Sequence, residues 1–234
     1  DRMIEDAARF GATLHFVTNT CRMTPERIRL LARCRAFVTV SLDGARAETH
    51  EWARTPQSNF EGVLAAMERM REARQASALG SPALHVNMVV TRRNIAEAAD
   101  VVRLAGRYGA AAVALLAPGV GERQDEYALE AIGRHETLWA EHLPAIRAAA
   151  RESGVRLQVP PYAEWLAEQR GETPESAPRP MRRAWLGATR RIFPRKCFAP
   201  FREAYFDVDG WVRPCCVAAA MGMGNLLESD FRSI

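Results

Sequence analysis

The sequence has almost no lysine and no long apolar run. Lys196 is the single lysine among 32 basic residues in a chain of 234, so arginine carries nearly all of the positive charge. No stretch approaches the roughly 20 uninterrupted apolar residues of a membrane span, and the glycine-lysine pattern of a phosphate-binding loop is absent. We therefore expect a cytoplasmic protein without a membrane partner.

The positive charge is not arranged as nucleic-acid-binding proteins arrange it. Such proteins concentrate their charge on one face beside aromatic platforms, whereas the net charge here is only +4. We expect no nucleic-acid partner. Residues 179–196 are an exception, since this segment is basic and contains no acid. The segment is either a solvated flank of a linker or a contact surface for an acidic peptide or substrate.

The cysteines are few and unevenly placed. An odd number, five, without a secretion signal argues against a disulfide scaffold. Three of them, Cys197, Cys215 and Cys216, lie near the end. The intervening sequence predicts a β-hairpin, with a turn at Asp209-Gly210 that can bring Cys215 back towards Cys197. Clustered thiolates select an iron–sulfur cluster or zinc; the alternative is a set of free core cysteines.

The first three quarters of the chain alternate strand and helix patterns. Strands are predicted at 14–18, 37–41, 84–90 and 112–116, with a short extra strand at 155–159. Helices should begin after Thr24, near Ser58 or Asn59 and after Asn94, where Glu97 would complete a capping box, and a long helix should end at Gly154. This alternation predicts an α/β fold with parallel strands, either an open sheet or part of a barrel. We place a module boundary near residue 175.

Polar side chains stand where three of the predicted strands end. Asn19 follows the first strand, Ser41, Asp43 and Gly44 end or follow the second, and Asn87 lies on the third. Binding sites of parallel α/β folds form at this edge. The group could bind a polar, sugar-bearing ligand, although Asn and Asp also occur there simply to make turns.

In their order, these segments resemble the middle of a radical S-adenosylmethionine (SAM) barrel. Residues 17–20 resemble the family's "TNG", residues 38–44 its "SLDG", residues 50–63 its "hd-x-x-R … f-x-x-v" stretch and residues 89–95 its "vt-x-x-N" entry to a helix. In the tail, twelve residues separate Cys197 from Gly210 and four separate Gly210 from Cys215, as in a SPASM-type auxiliary-cluster module. Gly224-Asn225-Leu226 resembles the "GNL" that follows.

The resemblance implies a partial (β/α)6 TIM-like barrel over residues 1–175. Residues 176–234 would be a linker and the start of a small Cys-rich β-hairpin module. Ser41 and Asp43 would contact the ribose or the methionyl end of SAM, and Arg54 would pair with the carboxylate of SAM. Asn87 would lie near the adenosine, and Asn19 would be a further candidate. Cys197, Cys215 and Cys216 would bind a [4Fe-4S] cluster.

The resemblance also implies a reaction and its partners. The enzyme would cleave SAM to a 5′-deoxyadenosyl radical with an external electron donor, and would take hydrogen from a peptide, a protein or a small molecule. The family's Cys-x3-Cys-x2-Cys and Gly-Gly-Glu segments are absent. We therefore expect a fragment, inactive by itself and without catalytic residues. Two alternatives remain: a non-catalytic peptide-binding relative, and an α/β protein with a structural zinc module.

Overall fold

Short β-branched runs form a parallel sheet in the first of two structural units, Asp1–Pro174 and Glu175–Ile234. The computed structural model describes residues 1–54, 58–116, 130, 132, 135–159, 205–206, 210–213 and 222–229. Each described strand of the first unit pairs in parallel with the next, in chain order. They are β1 (His15–Thr18), β2 (Phe37–Ser41), β3 (Ala83–Val89), β4 (Ala112–Leu116) and β5 (Arg156–Gln158). The predicted strands are confirmed to within about a residue at most ends.

Six helices are described, and capping residues mark some of their ends. They are α1 (Arg2–Arg9), α2 (Pro25–Arg33), α3 (Ala47–Ala53), α4 (Phe60–Ala76), α5 (Ala98–Arg107) and α6 (Glu136–Ser153). The hydroxyl of Thr24 caps α2, and Asn59 Oδ1 accepts the N–H of Gly62, at 2.6 Å, to cap α4. Gly154 ends α6 in the left-handed conformation. These predicted boundaries are confirmed.

Arg35 takes the left-handed position after α2 that glycine usually fills. Its φ is 52°, and the N–H of Ala36 donates to the carbonyl of Leu31 at 3.3 Å. This bond is the one that closes a Schellman motif. The motif turns the chain into β2 at some backbone strain, because Arg35 has a Cβ.

Two local predictions were wrong. The segment after β2 was predicted to be a loop, but α3 forms within it. The one fully buried residue of α3 is His50, so this helix lacks the apolar stripe that reveals a helix in a sequence. The capping box at Asn94 and Glu97 does not form either. Neither side chain caps the helix, because both bind the tip of β2, and a 3-10 turn (Ile95–Glu97) precedes α5.

Only one face of the described sheet lies against helices. Alternate strand residues such as Val40, Val86 and Val113 are fully buried in a core that the helices complete. The register places Ser41 opposite Asn87 on the other face, and β3 alternates between buried and half-buried side chains along its length. The polar predicted residues therefore share the face away from the helices.

The second unit contains the predicted hairpin. Strand β6 (Tyr205–Phe206) pairs antiparallel with β7 (Trp211–Arg213), and β7 pairs with β8 (Gly224–Asn225), which the sequence did not predict. Gly210 has a φ of 84°, and an added Cβ would come within 2.7 Å of Asn225 Oδ1. Glycine is therefore required at this turn, because Asn225 packs directly against it.

Candidate cofactor site at the tips of the parallel strands

Ser41 and Asn87 lie side by side at the carboxyl end of β2 and β3. They are register partners, and the next residue, Leu42, donates its N–H to the carbonyl of Asn87 at 2.9 Å. Ser41 is largely buried and Asn87 half-buried. Asn19 is exposed, one residue beyond β1. A hydroxyl and an amide thus stand next to each other on the sheet face that the helices leave uncovered.

Asp43, the second residue after β2, is buried and accepts bonds from its surroundings. Its Oδ1 accepts the N–H of Val89 at 2.8 Å, and its backbone carbonyl accepts the side-chain amide of Asn94 at 2.8 Å. The same amide donates to the carbonyl of Val89 at 2.9 Å. The tip of β2 is therefore fastened to the end of β3 by side chains where the sheet ladder stops.

Arg54 forms an ion pair with Asp43. Its Nε lies against Asp43 Oδ2, and the two side chains are 25% and 1% exposed. Arg54 directly follows α3, so the helix missed in the sequence places this guanidinium. The pair neutralises a buried carboxylate, and it orients an arginine that is still partly open to solvent.

Gly44 allows α3 to pack against the strand tip. An added Cβ would come within 2.7 Å of the backbone nitrogen of His50 and 2.8 Å of Thr49 Cβ. Glu97 completes this contact, because its carboxylate accepts the N–H of Ala45 at 2.8 Å and the hydroxyl of Thr49 at 2.6 Å. The position therefore requires the absence of a side chain for steric reasons.

His50 is fully buried behind the tip. Its Nδ1 lies 3.1 Å from the backbone nitrogen of Asp43, and its Nε2 lies 3.3 Å from Ser58 Oγ. Burial lowers the pKa of His50; the charge of Asp43 opposes this effect and the charge of Arg54 adds to it. The imidazole is therefore neutral at physiological pH.

A separate cavity of about 340 Å³ lies behind the end of β1. It is lined by Thr20, Cys21, Met23, Thr24, Pro25, Asn59, Gly62 and Arg69, so none of the predicted cofactor residues lines it. Thr20 stands where the family pattern usually has glycine, and its φ of 67° explains that preference.

The predicted cluster ligands Cys197, Cys215 and Cys216 lie outside the described residues, as does the basic segment 179–196. Within the described ranges there is no group of three or more His, Cys, Asp or Glu side chains that could hold a metal ion. The helices of that same part of the chain include none long and apolar enough to cross a membrane.

The tail matches a known family, and the chain is similar to curated proteins. Residues 197–234 match the SPASM family, described as an iron–sulfur cluster-binding domain. Mycofactocin maturase MftC of Mycobacterium tuberculosis (strain CDC 1551 / Oshkosh) is 34% identical over 109 residues, or 46% of this chain and 26% of that protein. AdoMet-dependent heme synthase of Methanosarcina barkeri (strain Fusaro / DSM 804) is 36% identical over 129 residues, or 52% of this chain and 35% of that protein.

Solved structures share the fold over nearly the whole chain. Streptococcus suis SuiB bound to the precursor peptide SuiA has a TM-score of 0.59 at 11% identity, covering 99% of this chain and 49% of that one. The enzyme anSMEcpe with bound AdoMet has a TM-score of 0.58 at 15% identity, covering 94% and 55%. The family match in the tail, the curated relatives and the solved structures all point to similarity with radical SAM proteins that carry a SPASM domain.

The fold shared with these solved structures decides between an open sheet and a partial barrel in favour of the barrel. The chain spans 26% and 35% of the two curated relatives and about half of the solved chains. The face away from the helices, with Ser41 and Asn87, is then the inner wall. AdoMet and iron–sulfur clusters are the cofactors of this family.

The described residues have the chemistry that AdoMet requires. The ligand carries a carboxylate, an amino group and ribose hydroxyls. Arg54 supplies a partly exposed guanidinium that suits a carboxylate, and Ser41 and Asn87 supply a hydroxyl and an amide on the inner wall. This donor set fits AdoMet.

The sequence did not identify the residues that support this candidate site. Four residues position Asp43 and its neighbours, and none was predicted to do so: His50, Ser58, Asn94 and Glu97. His50 lies inside the "hd-x-x-R" stretch, four residues before Arg54, and in the structure it stands about one helical turn before the end of α3, which Arg54 directly follows. A helix recognised there would have suggested His50 as a neighbour of the site.

Proposed function

We propose that the protein to which this chain belongs is a radical SAM enzyme that takes hydrogen from a peptide or protein substrate. If bound, AdoMet would take one electron from an external donor and split at its C5′–S bond into methionine and a 5′-deoxyadenosyl radical, which would take the hydrogen atom. Residues 1–175 would be part of the barrel, and residues 176–234 the linker and the start of the cluster module. This chain contains no Cys-x3-Cys-x2-Cys, so by itself it would not cleave AdoMet.

The Asp43–Arg54 ion pair is the observation that carries the proposal. Because Asp43 Oδ2 lies against Nε of Arg54, the terminal nitrogens of the guanidinium would be the ones that bind the carboxylate of AdoMet. Ser41 and Asn87 would bind hydroxyls of the ligand, and Asn19 would approach it from the loop after β1. These residues bind and orient the cofactor; none is assigned a catalytic step.

Binding of AdoMet to this chain tests the site directly. Ser41→Ala removes a hydroxyl at the tip, and Thr39→Val removes one two residues earlier on the same strand and face. Losing one hydrogen bond to the ligand should weaken binding by about tenfold in the Ser41 variant. Thr39→Val should bind like the wild type in calorimetry. Equal affinities for all three proteins would contradict the assignment.

The cluster ligands need a test of their own. We propose that Cys197, Cys215 and Cys216 bind iron, which is consistent with the family match over 197–234. After anaerobic reconstitution the chain should be brown, and Cys215→Ser should lose iron and sulfide, whereas the exposed Cys21 of the first unit offers a matched control as Cys21→Ser. A colourless protein that retains zinc would favour the structural zinc module instead.

The substrate class rests on the relatives. SuiB was solved with a precursor peptide, and MftC is named as a maturase, which supports a peptide or protein. The name of the heme synthase relative favours a small molecule as the second candidate. A peptide that stimulates 5′-deoxyadenosine formation by the whole enzyme would support the first. Stimulation by a porphyrin alone would support the second.

A further inference from the structure

His50 lies where three segments of the site meet. It belongs to α3, its Nδ1 is 3.1 Å from the backbone nitrogen of Asp43, and its Nε2 is 3.3 Å from Ser58 Oγ. Ser58 Oγ in turn lies 3.5 Å from the carbonyl oxygen of Asn19. A single buried imidazole thus connects the tip of β2, the segment before α4 and the loop after β1.

The partners determine which ring nitrogen carries the proton. A backbone N–H can only donate, so His50 Nδ1 must be an unprotonated acceptor for Asp43. The proton then resides on Nε2 and is donated to Ser58, whose own hydroxyl donates to the carbonyl of Asn19. Every donor along this path has an acceptor, and only the neutral Nε2–H tautomer satisfies all of them.

Protonation of His50 would break this path at Asp43. An imidazolium carries hydrogen on both nitrogens, so Nδ1–H would oppose the N–H of Asp43 in a site without water access. The charged groups that face the ring are Asp43 from the strand tip, and Arg54 and Glu51 from its own end of α3. On the α4 side it meets the uncharged ring of Phe60, at a centroid distance of 6.0 Å.

We infer that His50 is a positioning residue that, as a neutral imidazole, holds the tip of β2 in the geometry that binds the cofactor. It fixes the backbone of Asp43, whose carboxylate orients Arg54. His50 does not touch the ligand and acts only through these two residues. The inference rests on the proposed function for its consequence in binding, whereas the geometry at Asp43 can be tested without any ligand.

Two substitutions separate the two ends of the imidazole. In His50→Asn the side-chain oxygen takes approximately the place of Nδ1 and can still accept the N–H of Asp43. In His50→Gln the amide nitrogen takes approximately the place of Nε2 and can still donate to Ser58. A purely structural role would make both variants equivalent apart from their loss of stability. A positioning role makes His50→Asn the better binder.

The test combines nitrogen NMR, amide exchange and AdoMet binding on the full chain. In the wild type, imidazole ¹⁵N shifts should show protonated Nε2 and unprotonated Nδ1. The amide of Asp43 should stay protected from exchange in His50→Asn and lose protection in His50→Gln. The dissociation constant for AdoMet should stay within about threefold for His50→Asn and rise by about tenfold or more for His50→Gln.

Each outcome decides one question. A protonated Nδ1 in the wild type, or equal exchange and equal affinity in the two variants, would overturn the role of His50. If the wild type fails to bind AdoMet, the proposed cofactor site fails, but the NMR and exchange results still decide whether His50 positions Asp43. Should a variant unfold, the tautomer of the wild type remains decisive.

Discussion

Replacing Asp43 separates the charge of this side chain from its hydrogen bond. Asp43 is 1% exposed, its Oδ1 accepts the N–H of Val89, and its Oδ2 pairs with Arg54. Asp43→Asn keeps an oxygen for Val89 and removes the charge. Asp43→Ala removes both. The difference in unfolding free energy between the two variants therefore measures the bond to Val89. The decrease in unfolding free energy of Asp43→Asn measures the ion pair.

The magnitude follows from the burial of the two partners. Breaking a fully buried pair by removing one partner costs about 3–5 kcal/mol. Arg54 is 25% exposed, so water can hydrate it once it is alone, and we take a smaller value of about 2 kcal/mol for Asp43→Asn. Asp43→Ala also leaves the N–H of Val89 without an acceptor, which adds about 1–3 kcal/mol.

The assay is urea unfolding of the purified chain, followed by far-UV circular dichroism. A double-mutant cycle with Arg54→Met, which keeps most of the apolar stem, isolates the interaction between the two side chains. Asp100→Asn is the control, because its pair with Arg103 is exposed and should contribute about 0.5 kcal/mol or less. A coupling energy between Asp43 and Arg54 no larger than the loss of unfolding free energy in Asp100→Asn would refute the reasoning.

Three further changes test other parts of the fold. Arg35→Gly should raise the free energy of unfolding by about 0.5–1 kcal/mol by relieving the left-handed φ of 52°. Arg29→Gly, in the middle of α2, should lower the free energy of unfolding by about 1 kcal/mol, and the same sign for both would contradict this. Gly44→Ala should lower the free energy of unfolding by about 1–3 kcal/mol and weaken AdoMet binding, because α3 must move away from the added Cβ. Unchanged affinity for AdoMet would show that the tip tolerates a Cβ. Burial lowers the pKa of His50 and His85 below the usual 6.5, so the unfolded chain takes up protons first, and unfolding free energy should fall as pH drops below about 6.5. Urea midpoints across pH would check this, and a slope unchanged when both histidines are replaced would argue against it.

The strands could be predicted because their signal is local. Segments such as Phe37–Ser41 are apolar, β-branched and short, and polar residues mark the ends of β1 and β2. The cap at Thr24 and the end at Gly154 are also local, and both were found. Helix α3 was missed because it contacts the core through His50 and through hydrogen bonds, which periodicity does not record.

The site could be predicted as a group of residues but not as a set of contacts. Asp43 and Arg54 were each assigned to the cofactor, and no local pattern pairs them with each other. Glu97 was read as a capping residue, yet its carboxylate binds Ala45 and Thr49, about fifty positions earlier. Such partners are brought together only by the parallel crossover between β2 and β3, so no local rule finds them.

The tip of β2 extends beyond the sheet, and side chains replace the backbone partners that it lacks. His50 accepts the N–H of Asp43, Glu97 accepts the N–H of Ala45, and Asn94 donates to the carbonyl of Asp43. Buried backbone groups without partners would be costly, so the shape of this tip depends on residues from two other segments. A ligand that binds beside Asp43 therefore meets a preformed surface, and substitutions behind the tip should weaken binding without any contact to the ligand.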